Sequence, residues 1–282
     1  MERILPVLRC PYTGLPLQAA GSTLLAEGQF YAIVDGIPCL VREDQLAEID
    51  RHFQKQYDEQ AAEKYDRAID LLSVLGGCWA PTQRRRLARL LSPPKGMLLE
   101  VSVGTGSNLP YLTQTLGGTG LIVGIDLSQA MLKMAQRRAQ SLSVPTYLIR
   151  ADACRLPFAD ETFDAVFHFG GINMFGDIRQ AIKEMVRVAK PGAPILIGDE
   201  GMSEKRRGTW LGRCAAKMNS LNLCRPPFAA IPWEDVEAFR LHWAWRELFY
   251  VFRFQKKRAG SQNEQQASTN VQAEVRRRIQ GG

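Results

Sequence analysis

Two glycines one residue apart, Gly104 and Gly106, follow the apolar run that begins at Met97, and an aspartate, Asp126, ends the next apolar run twenty residues after Gly106. Glycine lets the chain turn sharply after a buried strand and brings bare backbone against a ligand, and the first turn of the following helix offers unpaired N–H groups. An anionic or carboxylate group suits that end of a helix. A carboxylate at the tip of the second strand can take both hydroxyls of a ribose. A dinucleotide fingerprint needs a third glycine for close helix–strand packing, and here that place is held by Leu109. The residues therefore argue for a ribose-bearing ligand and weaken NAD or FAD.

Further along stand Asp152, at the end of a third apolar run, and His168, at the end of a fourth. His168 is a candidate base; a histidine packed in the strand is the alternative, and His52 and His242 rank below it.

These residues need an alternating scaffold. Strands are expected at 97–103, 120–126, 145–151, 163–169 and 193–199, and helices near 107–116, 128–141 and 176–189. That alternation predicts a parallel sheet with helices on both faces. Two β-like runs between Trp243 and Gln255, joined around Glu247, predict an antiparallel pair that closes the sheet.

The chain has 282 residues, 45% of them hydrophobic, enough for one large α/β domain and an appendage. No run of eighteen apolar residues occurs and the first ten residues lack the order of a secretory signal, so a cytoplasmic location is expected. Six cysteines without a CxxC pair suit reduced thiols. The formal charge of +7 is uneven: residues 205–282 hold 15 Lys/Arg against 6 Asp/Glu, and the rest is nearly neutral. A basic third can attract nucleic acid, anionic lipid or an acidic substrate, or can be a solvated face.

Residues 1–42 are turn-rich, with β-formers around Leu24 and from Phe30 to Val34, and predict two or three short strands. The run Tyr31 to Pro38 resembles the end of Trm112-like zinc ribbons. Cys10 has Thr13 where a second ligand would stand and Ala26 to Gln29 holds no cysteine, so a ribbon without its metal is expected. Residues 43–95 read as a helical lid or linker, broken at Gly76-Gly77 and Pro81. Tyr57 and Tyr65 lie on one face as candidate substrate contacts; anchoring to the core is the alternative. Residues 259–282 read as a disordered basic tail.

Glu100 to Gly106, Gly124 to Leu132, Asp152 to Phe158, Phe163-Asp164 and Arg187 to Gly192, in this order and spacing, resemble class I S-adenosylmethionine-dependent methyltransferases. Within them the wording is similar to ubiquinone/menaquinone and phosphatidylethanolamine methyltransferases. The resemblance implies a Rossmann-like seven-stranded sheet over 96–258 with S-adenosylmethionine as cofactor and no metal. It implies that Glu100, Val103, Gly104, Thr105 and Gly106 hold the amino-acid end, and Asp126 the ribose. Leu127 and Met131 would take the adenine face, Asp152 and Ala153 its edge, and Phe169 with its two glycines the region under the sulfonium. The insert 202–236 carries Trp210, Phe228 and Trp233 among basic residues, which predicts an apolar substrate pocket with a basic rim, or contact with a membrane surface. A small-molecule or lipid acceptor is expected and nucleic acid is not. An RNA methyltransferase, and a binding protein that keeps the fold without chemistry, are the other readings.

Overall fold

The computed structural model describes residues 1–59, 79–91 and 96–258. Tyr65, Gly76-Gly77 and the tail 259–282 lie outside the described residues. The fold is a seven-stranded sheet with helices on both faces and a small sheet set against one edge.

The small sheet comes first: β1 (Gln18–Ala20), β2 (Thr23–Ala26), β3 (Gln29–Val34) and β4 (Ile37–Pro38), paired antiparallel in sequence order. It has four strands where two or three were expected, because β1 and β4 are only three and two residues long. The Cys10 thiol lies 3.1 Å from the Tyr31 hydroxyl, buried inside the module. Helix α1 (Glu48–Glu59) and helix α2 (Ala80–Leu91) follow. Pro81 sits in the first turn of α2, where a missing N–H costs nothing; it opens that helix.

The large sheet is built from β5 (Met97–Val101), β6 (Leu121–Asp126), β7 (Thr146–Arg150), β8 (Ala165–Phe169) and β9 (Pro194–Glu200), with β10 (Val236–Ala244) and β11 (Phe249–Lys256) at one edge. Its order is β10-β11-β9-β8-β5-β6-β7, and all pairs are parallel except β10–β11 and β11–β9. Helices α3 (Leu109–Thr115), α4 (Gln129–Ala139) and α5 (Ile178–Val188) connect the parallel strands. Two short helices, α6 (Glu204–Arg207) and α7 (Trp210–Met218), form the insert after β9.

β10 starts seven residues before the expected Trp243. A register shift between Glu237 and Arg240, with Ala238 at φ 53°, breaks the alternation that would have revealed it.

Alternate residues of each parallel strand go to opposite faces. Leu99, Val101, Val123, Ile125 and Val166 join one core with Ala181, Ile182 and Met185 of α5, and Leu98, Ile122, Ala165 and Phe167 join a second with Leu109 and Leu112 of α3 and Leu132 and Ala135 of α4. The first of these cores is continuous with the small module through Ile4, Leu8, Leu24 and Leu40. The module also covers the β7 edge: Leu40 N donates to Arg150 O at 2.8 Å, and Arg9 N to Pro157 O at 2.9 Å. The carboxyl end of an otherwise open edge strand is thereby covered.

Candidate cofactor and acceptor site

The carboxyl ends of β5, β6, β8 and β9 form one rim of the sheet. Residue alternation places Glu100, Asp126, Phe169 and Glu200 on the same face at that rim, since the paired residues Glu100 and Gly124, and Phe169 and Gly198, share it.

The turn after β5 is held by backbone first. Val103 N donates to Ile125 O at 2.8 Å and Gly106 N to Val103 O at 2.9 Å. Ser102, Gly104 and Gly106 all have positive φ, at 56°, 54° and 80°. The two glycines serve different ends. A Cβ on Gly104 would meet nothing within 4 Å, so its backbone faces open space. A Cβ on Gly106 would stand 2.8 Å from Leu109 and 3.1 Å from the Cα of Ala135, so this glycine exists to let α4 approach. Leu109 fills the remaining space and is fully buried, which is how the turn packs without a third glycine. From α4, Arg138 Nη1 reaches back to Thr105 O at 3.1 Å and Ser107 Oγ at 2.9 Å.

Asp126 Oδ2 accepts from Gly104 N at 2.8 Å, and Oδ1 accepts from Ser128 N at 2.9 Å. The aspartate thus holds the glycine turn in place while each oxygen keeps a lone pair for a hydroxyl. Desolvation pushes its carboxyl up to about 6, against the pull of the Ser128 and Gly104 amides. Met131, in the first turn of α4, is buried.

Glu100 has no solvent exposure. Its Oε1 accepts from Asn108 Nδ2 at 2.8 Å, and Asn108 Oδ1 in turn accepts from Arg84 Nη1 at 2.6 Å. The second oxygen, Oε2, has no partner among the described residues. Burial pushes this carboxyl up to about 8. An unsatisfied buried carboxylate oxygen beside a glycine turn with open backbone fits a ligand that brings a cationic amine there. The residues present therefore suit the amino-acid end of S-adenosylmethionine.

Asp152 Oδ1 accepts from Cys154 N at 2.8 Å, a turn of the kind aspartate favours, and burial raises its pKa. Ala153 is buried beside it, and Leu127 is half-buried, its carbonyl accepting from Arg150 Nε.

Helix α1 crosses above this rim. Ser128 Oγ donates to Asp58 Oδ1 at 2.6 Å, Tyr57 Oη lies 3.8 Å from Met174 Sδ, and Gly176 N donates to Asp50 Oδ1 at 2.9 Å. The helix thus bridges the start of α4 and the loop after β8.

The loop after β8 is organised by a residue that local spacing did not single out. Asp199 is fully buried and accepts from Gly171 N at 3.1 Å, Asn173 N at 2.7 Å and Glu200 N at 2.9 Å. Tyr250 Oη donates to Asn173 Oδ1 at 3.4 Å. Burial and the adjoining Asp199 carboxyl hold Glu200 protonated well above the ordinary carboxyl range. The consecutive acids at the end of an apolar strand were the available signal. Phe169 stacks on Trp245 at 5.0 Å and on Phe249 at 5.5 Å, forming an aromatic platform on the Glu200 side of the rim. Trp245, Arg246 and Glu247 form the β10–β11 turn with φ of 44°, 54° and 69°. Three consecutive non-glycine residues in that region mark a strained turn.

His168 is fully buried on the other face, paired with Val101. Its Nδ1 lies 3.0 Å from Val101 O, which can only accept, so the ring is the neutral Nδ1–H tautomer; burial lowers its pKa. Nε2 has no partner among the described residues, and the ring packs edge-on to Phe175. Trp210, Phe228 and Trp233 do not meet in one pocket among the described residues. Phe228 and Trp233 both pack against Phe239 in the aromatic core of the β10–β11 edge, whereas Trp210 stands in solvent on α7.

Residues 99–197 match the methyltransferase domain family model. The demethylmenaquinone methyltransferase of Staphylococcus aureus is 34% identical over 140 residues, which cover 49% of this chain and 56% of that protein. The chain thus spans about half the length of the curated relatives it matches. Among solved structures, a chain of the complex containing the Haloferax volcanii Trm112 methyltransferase activator superposes with a TM-score of 0.53 at 16% identity, covering 72% of this chain and 98% of that one. A SAM-dependent methyltransferase of Thermotoga maritima gives 0.52 at 22% identity, covering 72% and 99%. The family match shows that residues 99–197 are a methyltransferase domain, and the two superpositions show that the fold is shared with these solved structures.

Proposed function

We propose that this protein transfers a methyl group from S-adenosylmethionine to a small, fairly apolar acceptor, with a quinone precursor first among the candidates. The observation that carries the reading is the shared rim: Glu100, Asp126, Phe169 and Glu200 on one face around the open backbone of Gly104. The demethylmenaquinone methyltransferases among the relatives support the acceptor class.

The cofactor supplies an electrophilic methyl on a sulfonium. Asp126 would bind the ribose, Glu100 with Val103, Gly104, Thr105 and Gly106 the amino-acid end, and Leu127, Met131, Asp152 and Ala153 the adenine. Phe169 and Gly170-Gly171 would flank the reacting centre, with Tyr57 above them on α1. Holding nucleophile and methyl in line in a dry site is worth roughly 7–11 kcal/mol, so positioning does most of the work. The Phe169, Trp245 and Phe249 platform suits a flat apolar ring. A hydroxyl or carbon acceptor must also lose a proton. Glu200 shares the face of Phe169 but is held protonated, so it would donate a hydrogen bond to the acceptor rather than take its proton, and His168 points to the α5 side.

The test is labelled methyl transfer to a lipid and quinone extract and, in parallel, to total RNA. Label should enter the organic fraction and disappear with Asp126→Ala. Label in RNA alone would overturn the acceptor class.

A further inference from the structure

The insert between β9 and β10 shows solvent an unusual face. Trp210, Leu211, Met218 and Leu223, 68%, 49%, 72% and 52% exposed, lie within fourteen residues of each other. On α7, Trp210, Leu211, Cys214 and Met218 fall within an arc of about 100° at the helical period. That arc points outward. The opposite side is made of Gly212, Ala215 and Ala216, and a Cβ on Gly212 would stand 2.1 Å from Arg206 O, so the small side is the one packed against α6. The helix is therefore amphipathic with its apolar side to solvent.

The segment is built, so this exposure is not the result of a frayed end. Thr209 caps α7 through Gly212 N at 3.0 Å, Asn222 Nδ2 donates to Ala215 O at 3.1 Å, and Arg207 Nη2 holds Leu223 O and Cys224 O at 2.9 and 2.7 Å. Lys217 and Arg213 flank the apolar arc, Lys205, Arg206 and Arg225 lie near it in sequence, and Glu204 is the one acid between Met202 and Phe228.

We propose that this face docks on an anionic phospholipid surface, with Trp210, Leu211, Met218 and Leu223 entering the headgroup boundary and the flanking cations on the phosphates. An outward apolar helix face edged with cations is the pattern of interfacial helices. The excess of like charge disfavours the same face pairing with a second copy. Trp210 is the one aromatic side chain among these four, whereas single-stranded nucleic acid is held by successive bases on successive aromatic rings, which disfavours RNA. The insert leaves the sheet directly after Glu200, so docking would set the acceptor rim beside the bilayer. The inference goes beyond methyl transfer and is read without it.

The test is co-sedimentation of the full chain with phosphatidylglycerol/phosphatidylcholine vesicles and with pure phosphatidylcholine vesicles, at two salt concentrations. Binding is expected to the anionic vesicles only, weakening with salt, with a blue shift in tryptophan emission that Trp210→Phe removes. Trp210→Ser with Leu211→Ser and Met218→Ser should lower binding at least tenfold. Arg213→Glu with Lys217→Glu should lower it at least as much, since each cation near such a surface is worth about fivefold. Unchanged circular dichroism and melting in both variants would show that the fold is kept. The proposal is overturned if vesicles do not bind, or if the triple variant binds like the parent. It is equally overturned if the face mediates dimerisation in sedimentation velocity, or if the cations govern RNA binding while the apolar residues do nothing.

Discussion

The two halves of the rim are built by different means. On the β5–β6 side, position is set mainly by backbone, with one carboxylate added: Ile125 O receives Val103 N, Val103 O receives Gly106 N, α4 closes on Gly106, and the Asp126 side chain holds the Gly104 amide. On the β8–β9 side, position is set by side chains: a buried Asp199 gathers three amides and a stacked aromatic platform closes the edge. The first arrangement suits a ligand that is always the same. The second can change its side chains without moving the backbone, which is where acceptor choice can reside.

Substitutions should separate the halves. Gly104→Val fills the open space before the turn and adds strain at φ 54°, so cofactor affinity should fall by about 100-fold while acceptor-side packing is kept. Calorimetry and thermal melting check the two parts. Gly106→Ala, by contrast, should act on the fold through its clash with α4, lowering stability by about 1–3 kcal/mol.

Glu100 should give ligand binding on the β5–β6 side a pH dependence. A cationic amine binds the ionised carboxylate, and the carboxyl sits at about 8, so affinity should rise up to tenfold per pH unit from 6 to 8 with release of a proton. Glu100→Gln should remove this slope. For the ligand-free protein the sign is the reverse. A folded carboxyl raised from 4.5 to about 8 contributes stability that is full below about 4.5 and is lost as pH rises through 8. Glu100→Gln should therefore flatten the denaturation midpoint against pH over that window.

On the other side, Asp199→Asn leaves amides of the loop poorly matched, and should lower stability by about 1–3 kcal/mol and raise the acceptor KM more than the cofactor KM. The smallest effect is expected at Ser102. Its φ of 56° strains the turn, and Ser102→Gly should raise stability by up to about 1 kcal/mol in chemical denaturation.

The β5–β6 half was far more legible in the sequence than the β8–β9 half. Glycine turns and strand-end acids are local signals, and Gly104, Gly106 and Asp126 stand together where their spacing implied. The Arg84–Asn108–Glu100 relay was not legible, because it joins α2 to the turn through tertiary packing. Asp199 escaped notice because its partners are amides 26 and 28 residues away. Trp210 was expected in a pocket and stands in solvent; periodicity marks the apolar side of α7, and only the approach of Gly212 to Arg206 decides that the other side packs. The bulge near Ala238 hid β10 for a similar reason, since one extra residue reverses the alternation.

The most direct test of the account is calorimetric titration of S-adenosylmethionine into the full chain at pH 8, for the parent and Asp126→Ala. Saturable one-site binding in the parent, weakened by about 100-fold in a variant that still folds, is the predicted result. Absence of binding in the parent, or equal affinity in the two, would contradict it.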